Sequence, residues 1–119
     1  DEDELQAEPY CVSFLTVPAV NAGAVRQNSP GEVDSIRPTM HTRAEKLLAV
    51  AAVQGHRALV LGAWGCGVFK NDPTDVAASF HHWLVESPAF AGVFKHVVFA
   101  VVDWSEELRF IGPFQRQFG

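Results

Sequence analysis

The stretch Leu59-Val60-Leu61-Gly62-Ala63-Trp64-Gly65-Cys66-Gly67-Val68-Phe69-Lys70-Asn71-Asp72-Pro73 constrains this chain more than any other part of it. An apolar strand runs into a glycine-rich loop, and the loop runs into a well-marked helix start. In α/β folds this order of parts is a common way to hold a phosphate group. Three glycines, Gly62, Gly65 and Gly67, fall within six residues. They let the backbone turn tightly and bring bare N–H groups close to a ligand. The helix that follows adds the positive end of its dipole. The expectation is a phosphorylated ligand, a nucleotide above all. The stretch does not by itself name a reaction.

The remainder of the chain suits that reading. At 119 residues it is one domain or part of one, and a domain of this size buries roughly two-thirds of its unfolded surface. A net charge of −5 argues against sequence-independent binding to DNA or RNA, which relies on clustered Lys and Arg. It is compatible with a single phosphorylated ligand held by backbone N–H groups. No apolar run approaches the roughly 18 residues of a membrane span. The acidic start Asp1-Glu2-Asp3-Glu4 is the opposite of a signal peptide's basic one. The two cysteines, Cys11 and Cys66, suit a reduced, cytoplasmic setting better than a disulfide.

Residues 1–8 read as an acidic, solvated segment. Tyr10 to Val17 is β-branched, aromatic and nearly continuously apolar, which predicts a strand buried on both faces and stopped by Pro18. Ala19 to Arg37 reads as a long loop. Thr42-Arg43-Ala44-Glu45 resembles a capping box opening a helix, with Pro38-Thr39 as an earlier start. Ala44, Leu47, Leu48 and Ala51 give that helix its apolar face, and Gly55 ends it. A second buried strand is expected over Ala58 to Gly62. A helix opens with Asp72 as N-cap and Pro73 as first residue, with Val76, Phe80, Trp83 and Leu84 as its buried stripe. Ser87-Pro88 closes it. His96 to Val102 is a third apolar strand, ending at Asp103. The tail from Ser105 to Gly119 carries Phe110, Phe114 and Phe118, and is expected to pack back on the sheet.

Strand, helix, strand, helix, strand implies an α/β fold with a mainly parallel sheet and right-handed crossovers. Ligands in such sheets bind at the carboxyl ends of strands. Pro18 to Asn21, Ala63 to Asn71 and Asp103-Trp104 each follow a strand and are therefore expected along one edge. The loop is neither a Walker A motif, since no Gly-Lys-Ser/Thr follows, nor the dinucleotide fingerprint, since its order is Gly-x-x-Gly-x-Gly. Trp64 and Phe69 stand where turns favour polar residues, which points to a ligand wall or a loop anchor. Cys66, between two glycines near a helix start, reads either as a thiolate nucleophile or, with no partner base in sight, as a small residue packed beneath the loop. His81 and His82 are adjacent and point to different sides of a helix. His41, His56 and His96 share no ligand spacing, so no metal site is expected.

Gly62-Ala63-Trp64-Gly65-Cys66-Gly67-Val68-Phe69 resembles the diphosphate-binding loop of poly(ADP-ribose) glycohydrolases, which are macrodomain proteins. Pro9-Tyr10 and Val17-Pro18-Ala19-Val20-Asn21-Ala22-Gly23-Ala24-Val25-Arg26 resemble a segment of the microbial branch. His96-Val97-Val98-Phe99-Ala100-Val101-Val102-Asp103 resembles that branch's last core strand. The resemblance implies a three-layer α/β/α domain of which residues 9–119 form the carboxyl-terminal half. It implies ADP-ribose or poly(ADP-ribose) as ligand, with no cofactor, and hydrolysis of ribose–ribose O-glycosidic bonds. In the family the loop wraps the diphosphate and its phenylalanine, here Phe69, lies against the distal ribose. Asn21 is expected at the rim of the site and Asp103 near the nucleoside end.

The family's catalytic signature is a triple glycine followed by Gln-Glu-Glu, whose second glutamate is the general acid. This sequence holds neither. Gln6-Ala7-Glu8 lies too close to Pro9-Tyr10 to take the role, so no catalytic residue is assigned. The resemblance implies an enzyme only when a missing half is supplied, by a second chain or by pairing of protomers, unless the chain is a cleavage product. The alternative is a non-catalytic ADP-ribose reader or a degenerate partner subunit.

Overall fold

The computed structural model describes residues 11–119. The acidic segment 1–8 and Pro9-Tyr10 lie outside the described residues. The element order is α1 (Ala22–Asn28), a 3₁₀ turn (Pro30–Ser35), α2 (Ile36–Val53), β1 (Ala58–Leu61), α3 (Pro73–His81) continued by a π turn (His82–Glu86), β2 (His96–Phe99) and α4 (Ile111–Phe118).

β1 and β2 pair in parallel, with Ala58 opposite His96 and Leu61 opposite Phe99. The intervening chain, α3 included, makes the crossover that a parallel pair requires. Side chains alternate across this pair. Leu59, Leu61 and Phe99 pack against the core, whereas Val60 and Val98 are 74% and 56% exposed. The class is therefore α/β with a parallel sheet, as expected. The expectation of a buried strand over Ala58 to Gly62 is corrected: one face of the pair is exposed, so the described residues supply two of the three expected layers.

Cys11 to Val17 is not a strand, and all but Val17 are exposed. Its β-branched composition favours a strand, but a strand exists only by pairing, and among the described residues this segment pairs with none. The predicted third strand, His96 to Val102, is likewise shorter and ends at Phe99. The predicted loop from Ala19 to Arg37 is largely helical. Asn21 Oδ1 accepts a hydrogen bond from the Ala24 N–H at 3.0 Å and so caps α1. The 3₁₀ turn runs straight into α2, which starts at Ile36 rather than at Thr42. Pro38 is tolerated there because first-turn N–H groups have no helical acceptor.

The inner face of α2 is as predicted: Ala44, Leu47, Leu48 and Ala51 are buried, joined by Ile36 and Met40. Gly55, at φ 83°, ends it, with His56 N–H bonded to Ala51 O and Gly55 N–H to Ala52 O; these bonds and the left-handed glycine make a Schellman cap. On α3, Asp72 Oδ1 accepts the Thr74 N–H at 2.8 Å and Pro73 opens the helix, both as predicted. Trp83 and Leu84 fall in the π turn and are only half-buried.

Phe80 and Leu48 are the largest fully buried side chains. Phe80 lies between the loop and the tail, with ring centroids 6.2 Å from Trp64 and 5.8 Å from Phe99. Phe99 meets Phe114 at 5.0 Å and Phe118 at 4.6 Å. The tail thus packs back on the sheet as α4. Asp103 anchors it. Its Oδ1 accepts the Ser105 N–H and hydroxyl at 2.9 and 2.6 Å, and its Oδ2 accepts the Phe110 and Ile111 N–H groups at 2.8 and 2.9 Å. The Ser105 hydroxyl chiefly, aided by those backbone donors and opposed by burial, holds this carboxyl well below the usual carboxylate range.

Two outcomes are expected. Phe80→Ala should lower unfolding stability by about 3–5 kcal/mol in urea titrations, the range for emptying a buried aromatic site. Asp103→Asn should lower the melting temperature at neutral pH. A carboxyl whose pKa falls on folding stabilises the native state above its unfolded pKa, and that contribution is lost as pH drops towards the folded value. The gap between variant and wild type should therefore narrow below about pH 4. A gap independent of pH would remove the charge from the account.

Candidate functional site

Between β1 and α3 the chain must turn without regular hydrogen bonding, and the way it does so separates its donors from its acceptors. Of the N–H groups from Trp64 to Phe69, only that of Cys66 has an acceptor among the described residues, Ala63 O at 3.1 Å. Those of Trp64, Gly65, Gly67, Val68 and Phe69 have none there. Several carbonyls of the same loop are taken up. Gly65 O accepts the Asn71 N–H at 3.0 Å and Asn71 Nδ2 at 2.9 Å. Gly67 O accepts the Lys70 N–H, and Phe69 O accepts the Gly23 N–H at 3.0 Å from the start of α1. Arg26 Nη1 donates to Lys70 O at 2.9 Å. A loop with its acceptors tied down and its donors free offers itself to an anion.

Two positions carry unusual backbone. Gly65 has φ 72°, and a Cβ there would sit 2.5 Å from Ala19 Cβ and 2.7 Å from Asn71 Nδ2. Only glycine fits. Lys70 adopts φ 59°, an uncommon left-handed position for a residue with a side chain. It follows directly on the loop tip.

The aromatic pair divides its roles. Trp64 is the anchor: its Nε1 donates to Val17 O at 3.0 Å, and its ring packs on the core. Phe69, 38% exposed, and Val68, 89% exposed, stand at the tip. Gly62 and Ala63 lead out of β1 and are half-buried. Gly67 is open, with nothing within 4 Å of where a Cβ would project.

The structure joins two of the three segments expected along one edge. Val17 to Asn21 meets the glycine loop through Trp64, through Asn71 Nδ2 on Val20 O at 2.7 Å, and through the close approach of Ala19 to Gly65. Asn21 sits beside this junction as the cap of α1. Asp103 is engaged elsewhere: its four donors, all internal, fill the acceptor sites of a carboxylate. Sequence reasoning missed Asn71, Gly23 and Arg26 as parts of the loop's framework. Asn71 follows a turn, where asparagine is common, and nothing local marks it as buried.

Cys66 is buried, with Sγ 3.6 Å from Trp64 O. Burial, and secondarily the negative charge of Asp72, push its thiol up to about 12. It is the packed small residue of the two readings, not a nucleophile. Among the described residues no group of three or more His, Cys, Asp or Glu could hold a metal ion. His41 instead joins α2 to α3, with Nδ1 2.6 Å from Ser79 Oγ and its ring stacked on Trp83. Burial chiefly, with His82 and Arg37 nearby, lowers its pKa. No helix among the described residues is long and apolar enough to cross a membrane. For the thiols, the native protein treated with iodoacetamide at mildly alkaline pH should be alkylated at exposed Cys11 and spared at Cys66. Equal labelling in peptide mass spectra would contradict the packed state of Cys66.

No family model matches the chain. No curated protein matches it. Solved structures do. The poly(ADP-ribose) glycohydrolase of Deinococcus radiodurans, in complex with ADP-ribose, is 44% identical, with 98% of this chain and 46% of that one covered and a TM-score of 0.89. The same enzyme in apo form gives a TM-score of 0.87 at 44% identity, covering 98% of this chain and 47% of that one. The poly(ADP-ribose) glycohydrolase of Thermomonospora curvata is 47% identical, with 99% of this chain and 42% of that one covered and a TM-score of 0.86. The chain thus spans somewhat under half the length of the proteins it matches. In sequence and in fold it belongs with the bacterial poly(ADP-ribose) glycohydrolases, as part of their domain.

Proposed function

We propose that this chain is the ADP-ribose-binding part of a poly(ADP-ribose) glycohydrolase. The supporting observation is the set of N–H groups at Trp64, Gly65, Gly67, Val68 and Phe69 that have no acceptor among the described residues. The exposed members, Gly67 to Phe69, bind the diphosphate, and Phe69 at the tip lies against the distal ribose. Neutral backbone donors suffice for this, which reconciles a dianionic ligand with a chain of net charge −5. Gly62, Ala63 and Cys66 shape the loop, and Trp64 fastens it. Asn21 borders the site. For Asp103, whose acceptors are filled, contact with the nucleoside end falls to the backbone around it. The Deinococcus enzyme, solved with ADP-ribose bound, matches this chain along 98% of its length.

Hydrolysis needs a general acid to protonate the leaving ribose oxygen and a site that stabilises an oxocarbenium-like centre. Neither a triple glycine nor Gln-Glu-Glu occurs in these 119 residues. The acid therefore comes from polypeptide beyond them, in the same protein or in a companion chain, and this chain by itself binds without cleaving. The cytoplasm, with its reduced thiols, is the matching compartment.

Calorimetric titration with ADP-ribose, of the chain alone and together with a polypeptide bearing the Gln-Glu-Glu signature, tests the reading. Saturable heat is expected, and release of ADP-ribose from polymer only in the mixture. Gly67→Val should lower affinity about tenfold or more, a loss of about 1.4 kcal/mol, with no fall in melting temperature, because a side chain there meets solvent and not protein. Heat in neither case would eliminate the proposal. Binding without cleavage in the mixture would leave a reader or a degenerate subunit.

A further inference from the structure

Asn71 is 4% exposed, and its carboxamide is divided between two environments. Nδ2 donates to Val20 O at 2.7 Å and to Gly65 O at 2.9 Å. Oδ1 has no hydrogen-bond partner among the described residues. The residue lines a cavity of about 30 Å³ that also borders Arg26, Arg37, Met40, Asp72 and Asp75. The opposite amide orientation would set Oδ1 against two carbonyl oxygens, so the chemistry fixes which end points where. The backbone N–H of the same residue is also bonded to Gly65 O. One residue thus ties Gly65, in its left-handed conformation, to the segment before α1.

We propose that Asn71 is the positioning residue of the glycine loop: by donating from one nitrogen to Gly65 O and Val20 O it ties the left-handed turn at Gly65 to the segment before α1, and so holds the loop in the conformation that leaves the N–H groups of Gly67, Val68 and Phe69 free. The inference rests on the functional reading for what the loop binds, but not for how the loop is held. A packing role alone would ask only for a side chain of this size. The donor role asks for hydrogens on the atom between the two carbonyls. Asparagine supplies two; an ionised aspartate of the same shape supplies none and places a charge against two oxygens; a protonated aspartate supplies one.

Asn71→Asp therefore separates the two roles. In amide-exchange measurements by NMR at neutral pH, the variant should lose protection at the backbone N–H groups of Gly23, Cys66 and the substituted position itself, which make the loop's own bonds. The α2 helix and the β1–β2 pair should keep theirs. Protection should return in part as the pH falls and the carboxyl is protonated, and affinity for ADP-ribose should follow the same profile from a deficit of about tenfold. Wild type should show no such profile. Asn71→Leu, similar in size but without a donor, should be deficient at every pH. A second measurement needs no variant. The side-chain NH₂ protons of Asn71 in the wild type should exchange far more slowly than those of exposed Asn21 and Asn28. Equal exchange rates would overturn the proposal, as would protection and affinity unchanged in both variants or a deficit in Asn71→Asp that ignores pH. Should wild type fail to bind ADP-ribose, the functional reading falls, and the exchange data alone decide this one.

Discussion

A loop that leaves most of its backbone N–H groups free cannot use them to hold itself together. Here the requirement is met from the other side of each peptide. The carbonyls of Ala63, Gly65, Gly67, Phe69 and Lys70 all accept hydrogen bonds, and the donors come from within the loop, from α1 and from Asn71. In the peptide groups Ala63–Trp64 and Gly67–Val68 a carbonyl held by an internal donor turns a free N–H the opposite way, because each peptide group is rigid. The energetic cost of unpaired donors is kept low because Gly67 to Phe69 face water. The left-handed backbone at Gly65 and Lys70 belongs to the same solution: it turns the chain sharply on either side of Gly67 to Phe69.

How much of this was legible in the sequence depended on the range of the interactions involved. The start of α3 was, because Asp72 and Pro73 act on their immediate neighbours. So was the inner face of α2, since Ala44, Leu47, Leu48 and Ala51 repeat with the helix. Trp64 stood out because a large apolar ring in a turn is either a ligand wall or a loop anchor; the bond from its indole to Val17 O decides for the anchor. The start of α2 was misplaced: Thr42-Arg43-Ala44-Glu45 has the form of a cap, and the earlier start at Pro38-Thr39 came nearer to the true one at Ile36. Asn21 carried a readable cap signal for α1, but the glycine and asparagines around it spoke for a loop. Strand formation from Cys11 to Val17 is a non-local matter, and no local composition decides it.

The family was more legible than the fold, because the loop concentrates its motif in a few consecutive residues. Its geometry was not. That Cys66 alone spends its N–H internally, or that Asp103 is saturated by Ser105, Phe110 and Ile111, depends on contacts set by the tail and by the turn itself. The aromatic series Trp64, Phe80, Phe99 and Phe118 shows how those parts are coupled. The ring that secures the loop and the rings that hold α4 share one packing arrangement, so loop and tail are fixed by a common interior.

The bare side of the β1–β2 pair has a thermodynamic corollary. Val60 and Val98 present hydrocarbon to water where a parallel sheet ordinarily meets a helix. Covering a valine of this kind yields roughly 1.5–3 kcal/mol, comparable to a sizeable fraction of a small domain's entire margin against unfolding. Any polypeptide laid over that side would thus reinforce the sheet by the same free energy with which it adheres, and would steady the strand from which the glycine loop departs. Assembly and conformational integrity are, for this chain, two readings of a single equilibrium.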